Sequence, residues 1–236
     1  MVNIELLKVY QFNNKIRCGV NCDGGYVFGE LGEEYDCYIS AGISNEESFS
    51  RDFIEKYKTT NNFGFDGTIR DYPYQYTRDI TFIKKNINSY NDDNNTDLSF
   101  LTESYNNIFL KIDIEGGEYP WILSLNDSKI NKFKQIVIEF HGITNDGWGC
   151  QNSIKDICLQ KLNNTHYLIH AHGNNHGPSS GGIPDVIELT YVNKSYFKDV
   201  PEFNKISLPI PGMDFPNNQN LPDINLNNFP FKQISI

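Results

Sequence analysis

Residues Asn107 to Trp121 read NIFLKIDIEGGEYPW, and more of the architecture follows from this segment than from any other. Its first half alternates and is rich in β-branched residues, the pattern of a buried strand over Phe109 to Ile114. Gly116-Gly117 break the pleat, and a helix is expected from Glu118 to Leu125. Pro120 is tolerated there because the first helical turn needs no N–H donor. Asp113 and Glu115 fall where the strand ends. Residues two apart on a strand share a face, so both carboxylates are expected to point the same way. Open α/β sheets bind ligands beyond the carboxyl ends of their strands, which makes acids at that edge candidates for chemistry.

The flanking sequence repeats the strand–helix theme. Gly24 to Phe28 reads as a turn feeding a short strand, and Asp36 to Ala41 as the first central strand, ending at Gly42. Ser44 has the character of a helix N-cap, with Glu47 three positions on completing a capping box, and the helix should reach about Lys58. Further strands are expected at Asn62 to Asp66, Ile80 to Ile87, Gln135 to Phe140, Tyr167 to Ala171 and Val186 to Val192. Tyr90 to Asp97 reads as an Asn/Asp-rich loop, and Leu98 to Ser104 as a short helix. Ser153 to Leu162 carries apolar residues at helical spacing. The alternation is that of a doubly wound α/β fold. From Asn193 onward the chain is rich in Pro and Asn. Its apolar residues (Ile206, Leu208, Ile210, Met213, Phe215, Leu221 and Phe229) argue for an extended arm packed on the same domain. The expected organisation is one domain over 1–192 and this arm over 193–236, with no internal repeats.

Bulk properties narrow the classes. A chain of 236 residues is long enough for one full core. No apolar run approaches the roughly 20 residues of a membrane span, and MVNIELLKVY lacks a signal-peptide layout. The expected location is cytoplasmic. A net charge of −10 repels phosphate backbones and argues against a nucleic-acid partner. The five cysteines (Cys18, Cys22, Cys37, Cys150 and Cys158) are odd in number and lack a second closely spaced pair. Reduced thiols fit better than zinc or disulfides. Oligomeric state is not legible.

LKIDIEGGEYPWI resembles the K-I-D-I/V-E-G-x-E segment of the FkbM-type methyltransferases, which use S-adenosylmethionine (SAM). DGGYV (Asp23 to Val27), SAGISNEESF (Ser40 to Phe49), FDGT (with Asp66), VIEFHG (Val137 to Gly142) and PDVIELTY (Pro184 to Tyr191) fall in that family's order. The resemblance covers roughly residues 17 to 192. It implies a Rossmann-like class I methyltransferase sheet of about seven strands, with helices on both faces and the last two strands forming a hairpin. It also implies SAM as cofactor and a hydroxyl of a sugar or glycan precursor as acceptor. Asp23 to Tyr26 would fold over the cofactor, and His172, Asn174 and Asn175 would belong to a loop over the acceptor pocket. Two departures mark a divergent subgroup: S-A-G-I-S-N replaces the usual glycine-rich D-x-G-A-N-x-G, and the carboxyl-terminal arm is additional.

The residues bear on the cofactor independently. A dinucleotide turn needs several glycines to admit a pyrophosphate to a helix N-terminus. The turn here, Gly42-Ile43-Ser44, has one, which favours a phosphate-free nucleoside such as SAM over NAD. A plain tight turn reads equally well. Asp66 ends the second strand, roughly twenty residues on, where an acid can accept from ribose hydroxyls. Asp66-Gly67 is also a common turn dipeptide.

Methyl transfer to an alcohol requires the protein to position a hydroxyl and remove its proton. Asp113, Glu115, Glu139 and His141 are the candidates at the sheet edge. A neutral imidazole is the best matched base near neutrality. The reading is therefore His141 as base, Asp113 near the sulfonium end, and Glu115 or Glu139 orienting the acceptor; His141 bonded to backbone is the plain alternative. His170, His172 and His176 raise a metal reading, ranked below an acceptor loop and below a plain structural turn in which Asn174 and Asn175 support positive φ, so no metal is assigned. Two rivals stand beside the transferase: a metal-dependent hydrolase built on Asp113, Glu139 and His141, and a non-catalytic binding module of the same fold.

Overall fold

A computed structural model describes residues 1–32, 34–145 and 150–233. In chain order the strands are β1 (Lys15–Cys18), β2 (Tyr26–Gly29), β3 (Cys37–Ala41), β4 (Asn62–Phe65), β5 (Thr81–Ile83), β6 (Asn86–Ile87), β7 (Asn95–Thr96), β8 (Ile108–Ile112), β9 (Phe133–His141), β10 (His166–Gly173), β11 (Ser179–Ser180), β12 (Ile183–Pro184) and β13 (Val186–Asn193). The helices are α1 (Ser48–Tyr57), α2 (Ser99–Ser104), α3 (Glu118–Ser124), α4 (Asp127–Ile130) and α5 (Asn152–Thr165).

Seven strands make one mixed sheet in the order β10-β13-β9-β8-β3-β4-β5. Every neighbouring pair is parallel except those of β13, which runs antiparallel to both β9 and β10. The chain builds outward from β3 to β4 and β5, then returns to β8 and β9 on the other side. The strand order therefore reverses between β3 and β8, the point at which open sheets form a ligand crevice.

Strand alternation sorts the core into two faces. Ile39, Leu110, Ile138 and Leu189 point to one side, where they meet Trp121 and Ile122 of α3 and Leu159 and Leu162 of α5. Tyr38, Phe109 and Val137 point to the other, against Phe49 and Phe53 of α1 and Phe28 of β2. The second face is strongly aromatic: Phe53 lies 4.3 Å from Phe109 and 4.6 Å from Tyr38, ring centroid to centroid. Such pairs add about 0.5–1.5 kcal/mol each beyond the area they bury. The same alternation carries Lys111, Glu139, His141 and Glu188 onto this second face, so it turns polar where the strands end. Within residues 194–233, Leu208, Leu226 and Phe231 are buried in the first core. Residues 234–236 of the expected arm lie outside the described residues. No helix among the described residues is long and apolar enough to cross a membrane.

Four local expectations are corrected. The capping box does not form, because Ser44 sits in a turn at φ +51° and α1 begins only at Ser48. Glu47 instead turns inward to accept from Ser40, Ser50 and Tyr72, since a buried carboxylate needs donors more than an exposed helix end needs a cap. The strand expected over Ile80 to Ile87 splits. The Lys85 N–H turns back to the Ile83 carbonyl, and β6 pairs with β7 inside the segment read as a loop. Strand β8 ends at Ile112, so alternation does not govern Asp113 and Glu115, and Glu115 takes a left-handed φ of +54°. Finally, β2 has an antiparallel partner, β1, where no strand is expected from the residues.

Candidate functional site

Gly42 closes β3 where it passes closest to the end of β8. Its φ is +75°, and a Cβ on it would stand 1.5 Å from the Asp113 carbonyl oxygen. Its N–H donates to the Phe65 carbonyl at 3.0 Å, and its own carbonyl accepts from Lys111 Nζ at 2.9 Å. The turn is pinned from β4 and β8 together, and only glycine fits.

Asp66 holds two turns at once. One carboxylate oxygen accepts from the Ile43 and Ser44 N–H groups, each at 3.0 Å. The other accepts from the Thr68 N–H and hydroxyl at 2.7 and 2.6 Å and from the Ile69 N–H at 3.3 Å. Burial raises its pKa and these donors outweigh that, so the net direction is down. The acceptor capacity of the group is engaged by the turns on either side of it.

A cleft of about 450 Å³ opens between these turns, at the reversal point of the sheet. Gly42, Ser44, Asp66, Gly67, Asp113 and Glu115 all line it, which unites most of the residues expected to contact a cofactor. Phe65 and Ile87 supply apolar wall, and Lys85 and Asn86 close the far side. The volume lies in the range of small-molecule sites. Ile43 is buried under the turn within the aromatic core, contributing its N–H to Asp66 instead of a cleft-lining side chain. Asp113 Oδ1 is buried and accepts no hydrogen bond from any described residue. Burial pushes the Asp113 carboxyl up to about 6, against the pull of Lys111 and His141.

Behind Glu115 lies His141, only 4% exposed at the end of β9. Its Nε2 is 3.3 Å from Glu115 and 3.6 Å from Glu139, and its Nδ1 is 3.6 Å from Glu118. Burial lowers the imidazole pKa, but the Glu118, Asp113 and Glu115 carboxylates raise it further, and the net shift is upward. Donor atoms of Asp113, Glu139 and His141 all fall within 4.8 Å of one another, so the four catalytic candidates do converge. Glu139 is held well above the carboxylate range, first by burial and then by the charges of Asp113, Glu188 and Asp23.

The remaining candidates sit elsewhere. Asp23 is absent from the cleft lining and stands beside Glu139 and Glu188. His172 is clamped between Glu188 and Asp223, at 3.0 Å to each. Asn174 donates to Glu139 at 3.0 Å. Asn175 donates to the Asn218, Leu221 and Pro222 carbonyls and accepts from the Asn218 N–H. His172 and Asn175 thus tie β10 and its following turn to the carboxyl-terminal segment. His170 is bonded to Asp214 at 2.9 Å, and His176 is exposed.

Lys111 and Glu118 were not singled out from sequence, though both support the site. Glu118 accepts from the Ile114 N–H at 2.9 Å and approaches His141. A lysine inside an otherwise apolar strand was the one available signal for Lys111. Residues 3–173 match the family profile described as the methyltransferase FkbM domain. No curated protein shows significant similarity to the chain.

Proposed function

The chain belongs to the FkbM methyltransferase family, and from that premise we propose that it transfers a methyl group from SAM to a hydroxyl of a sugar or glycan precursor. The observation that carries this is the cleft at the β3/β8 reversal, with its one-glycine turn and the unpartnered oxygen of Asp113. The residues fit such a cofactor. A turn with one glycine leaves no cradle for a pyrophosphate, the walls are partly apolar, and a carboxylate faces the place where a cation is needed. Gly42 and Ser44 would hold the donor from one side and Asp113 from the other. Asp66 enters as the group that fixes the turn, and a ribose hydroxyl would share its oxygens with the Ser44 and Thr68 amides. When bound, SAM supplies an electrophilic methyl group.

The chain's own residues do the rest. His141 in its neutral form takes the proton of the acceptor hydroxyl, and the Glu115 carboxylate, 3.3 Å from its Nε2, stabilises the imidazolium that results. Glu115, exposed at the mouth and in contact with His141, orients the acceptor. Family membership favours this transferase reading over a hydrolase built on the same acids. It is tested by calorimetric titration with SAM and its demethylated product, followed by an acceptor screen with labelled methyl donor. Failure to bind SAM at millimolar concentration would leave a binding module of the same fold.

A further inference from the structure

The polar face of the sheet holds a group of acids beyond the lining of the cleft. Glu139 of β9 and Glu188 of β13 are register partners in an antiparallel pair, 3% and 5% exposed. Like charges directly opposite each other in a ladder are destabilising. Asp23, from the turn before β2, adds a third acid: one oxygen of each lies within 4.8 Å of the others.

Their surroundings balance them unevenly. Glu188 accepts from His172 at 3.0 Å and from Asn217 at 2.7 Å. Asp23 accepts from the same Asn217 amide at 3.1 Å. Glu139 has Asn174 on Oε1, with His141 3.6 Å from that same oxygen, while its buried Oε2 accepts no hydrogen bond from any described residue. Carboxylates at this depth are paired, protonated or bound to a metal. Holding these acids together at this depth costs free energy that a bound cation would relieve.

We propose that Asp23, Glu139 and Glu188 form a binding site for one divalent cation of the hard, oxygen-preferring class (Mg²⁺, Mn²⁺ or Ca²⁺). The donor set is carboxylate alone, without thiol or imidazole, which selects against softer metals. These cations take six or more oxygen ligands, so three carboxylates leave positions for water or for hydroxyls of a bound molecule. Glu139 also neighbours Asp113, which lines the cleft. The ion thus lies on the acceptor side of the site; that placement rests on the proposed function, whereas ion binding itself does not.

The test uses the full chain, stripped with EDTA and titrated with Mn²⁺ while free Mn²⁺ is followed by electron paramagnetic resonance. The wild type is expected to bind one Mn²⁺. Glu139→Gln and Asp23→Asn should each weaken binding at least about tenfold, since even outer-shell partners of a metal are worth that much. Asp93→Asn, at an exposed acid outside the cluster, should match the wild type. Asp23 is exposed, so its variant keeps the test valid if Glu139→Gln folds poorly. Added Mn²⁺ should raise the melting temperature of the wild type and not that of Glu139→Gln. Equal binding by all four proteins, or none by the wild type, overturns the site. Saturable binding of glucosamine without Mn²⁺ binding also overturns it, assigning the acids to an amine. SAM titration of the stripped protein separates the two readings: SAM binding without Mn²⁺ binding removes only the cation site.

Discussion

Replacing Gly42 by alanine isolates the contact on which the cleft depends. Two penalties arise there, and a second glycine separates them. Gly182 has a similar φ, +80° against +75°, but a Cβ on it meets nothing within 4 Å. Gly182→Ala therefore carries only the left-handed strain of an L residue, about 1–2 kcal/mol. For a chain of this size each 1 kcal/mol moves the melting temperature by about 2–4 °C, so a fall of about 2–8 °C is expected. Gly42→Ala adds a Cβ 1.5 Å from the Asp113 carbonyl oxygen. That carbonyl cannot swing away freely, because the N–H of the same peptide plane, on Ile114, is bonded to Glu118 at 2.9 Å. Gly42 is itself tied to Phe65 and Lys111. Forced separation of two strand ends belongs with the severe substitutions, above about 4 kcal/mol, which corresponds to a fall of more than about 8 °C or to loss of folded protein. Parallel thermal melts followed by circular dichroism read the comparison. If Gly42→Ala melts within error of Gly182→Ala, the close passage of β3 and β8 is wrong and the cleft is not built as described.

Three further outcomes are expected. His141→Ala should lower methyl-transfer turnover by at least about 100-fold while SAM affinity, read by calorimetry, stays within about twofold; unchanged turnover rejects the base role. Asp214 is buried and, against the effect of burial, His170 and the Ile210 N–H hold its pKa down at about 2. A group depressed in the folded state stabilises above its unfolded pKa and loses that contribution as pH falls through the folded one. Wild-type stability should thus drop by about 2 kcal/mol between pH 4 and 2, and Asp214→Asn should lack that slope in urea titrations. Cys18, Cys37 and Cys158 are buried, with thiols pushed up to about 12 chiefly by burial. A chromogenic disulfide reagent should therefore reach them only after denaturation, and rapid reaction of all five thiols in the native protein contradicts the packing.

Much of the architecture was legible because burial imposes a period. In β8 and β9 the apolar side chains alternate between two cores, and the same period aims Glu139 and His141 at one face. Their convergence with Asp113 follows from the parallel register, in which the last residue of β8, Ile112, pairs with Ile138, so that β9 carries Glu139 and His141 past the point where Asp113 leaves the sheet. The capping-box pattern considers only the helix end, whereas the Glu47 side chain is claimed by donors on three separate elements: Ser40 of β3, Ser50 of α1 and Tyr72 of a later loop. The roles of His172 and Asn175 were illegible for a similar reason. Their partners Asp223, Asn218 and Pro222 lie in a segment without periodicity, and its register on the sheet is set by individual polar contacts. The β5–β6 break falls at the polar run Lys84-Lys85-Asn86, which interrupts the alternation of Ile80, Phe82 and Ile87 and is the signal that a single strand over Ile80 to Ile87 overlooks.

The account stands on where the donor binds. A crystal structure of the protein with S-adenosylhomocysteine should show the nucleoside against Gly42 and Ser44, with its sulfur end toward Asp113. Density for that ligand at any other surface, or side chains filling the space between Gly42 and Asp113, contradicts it.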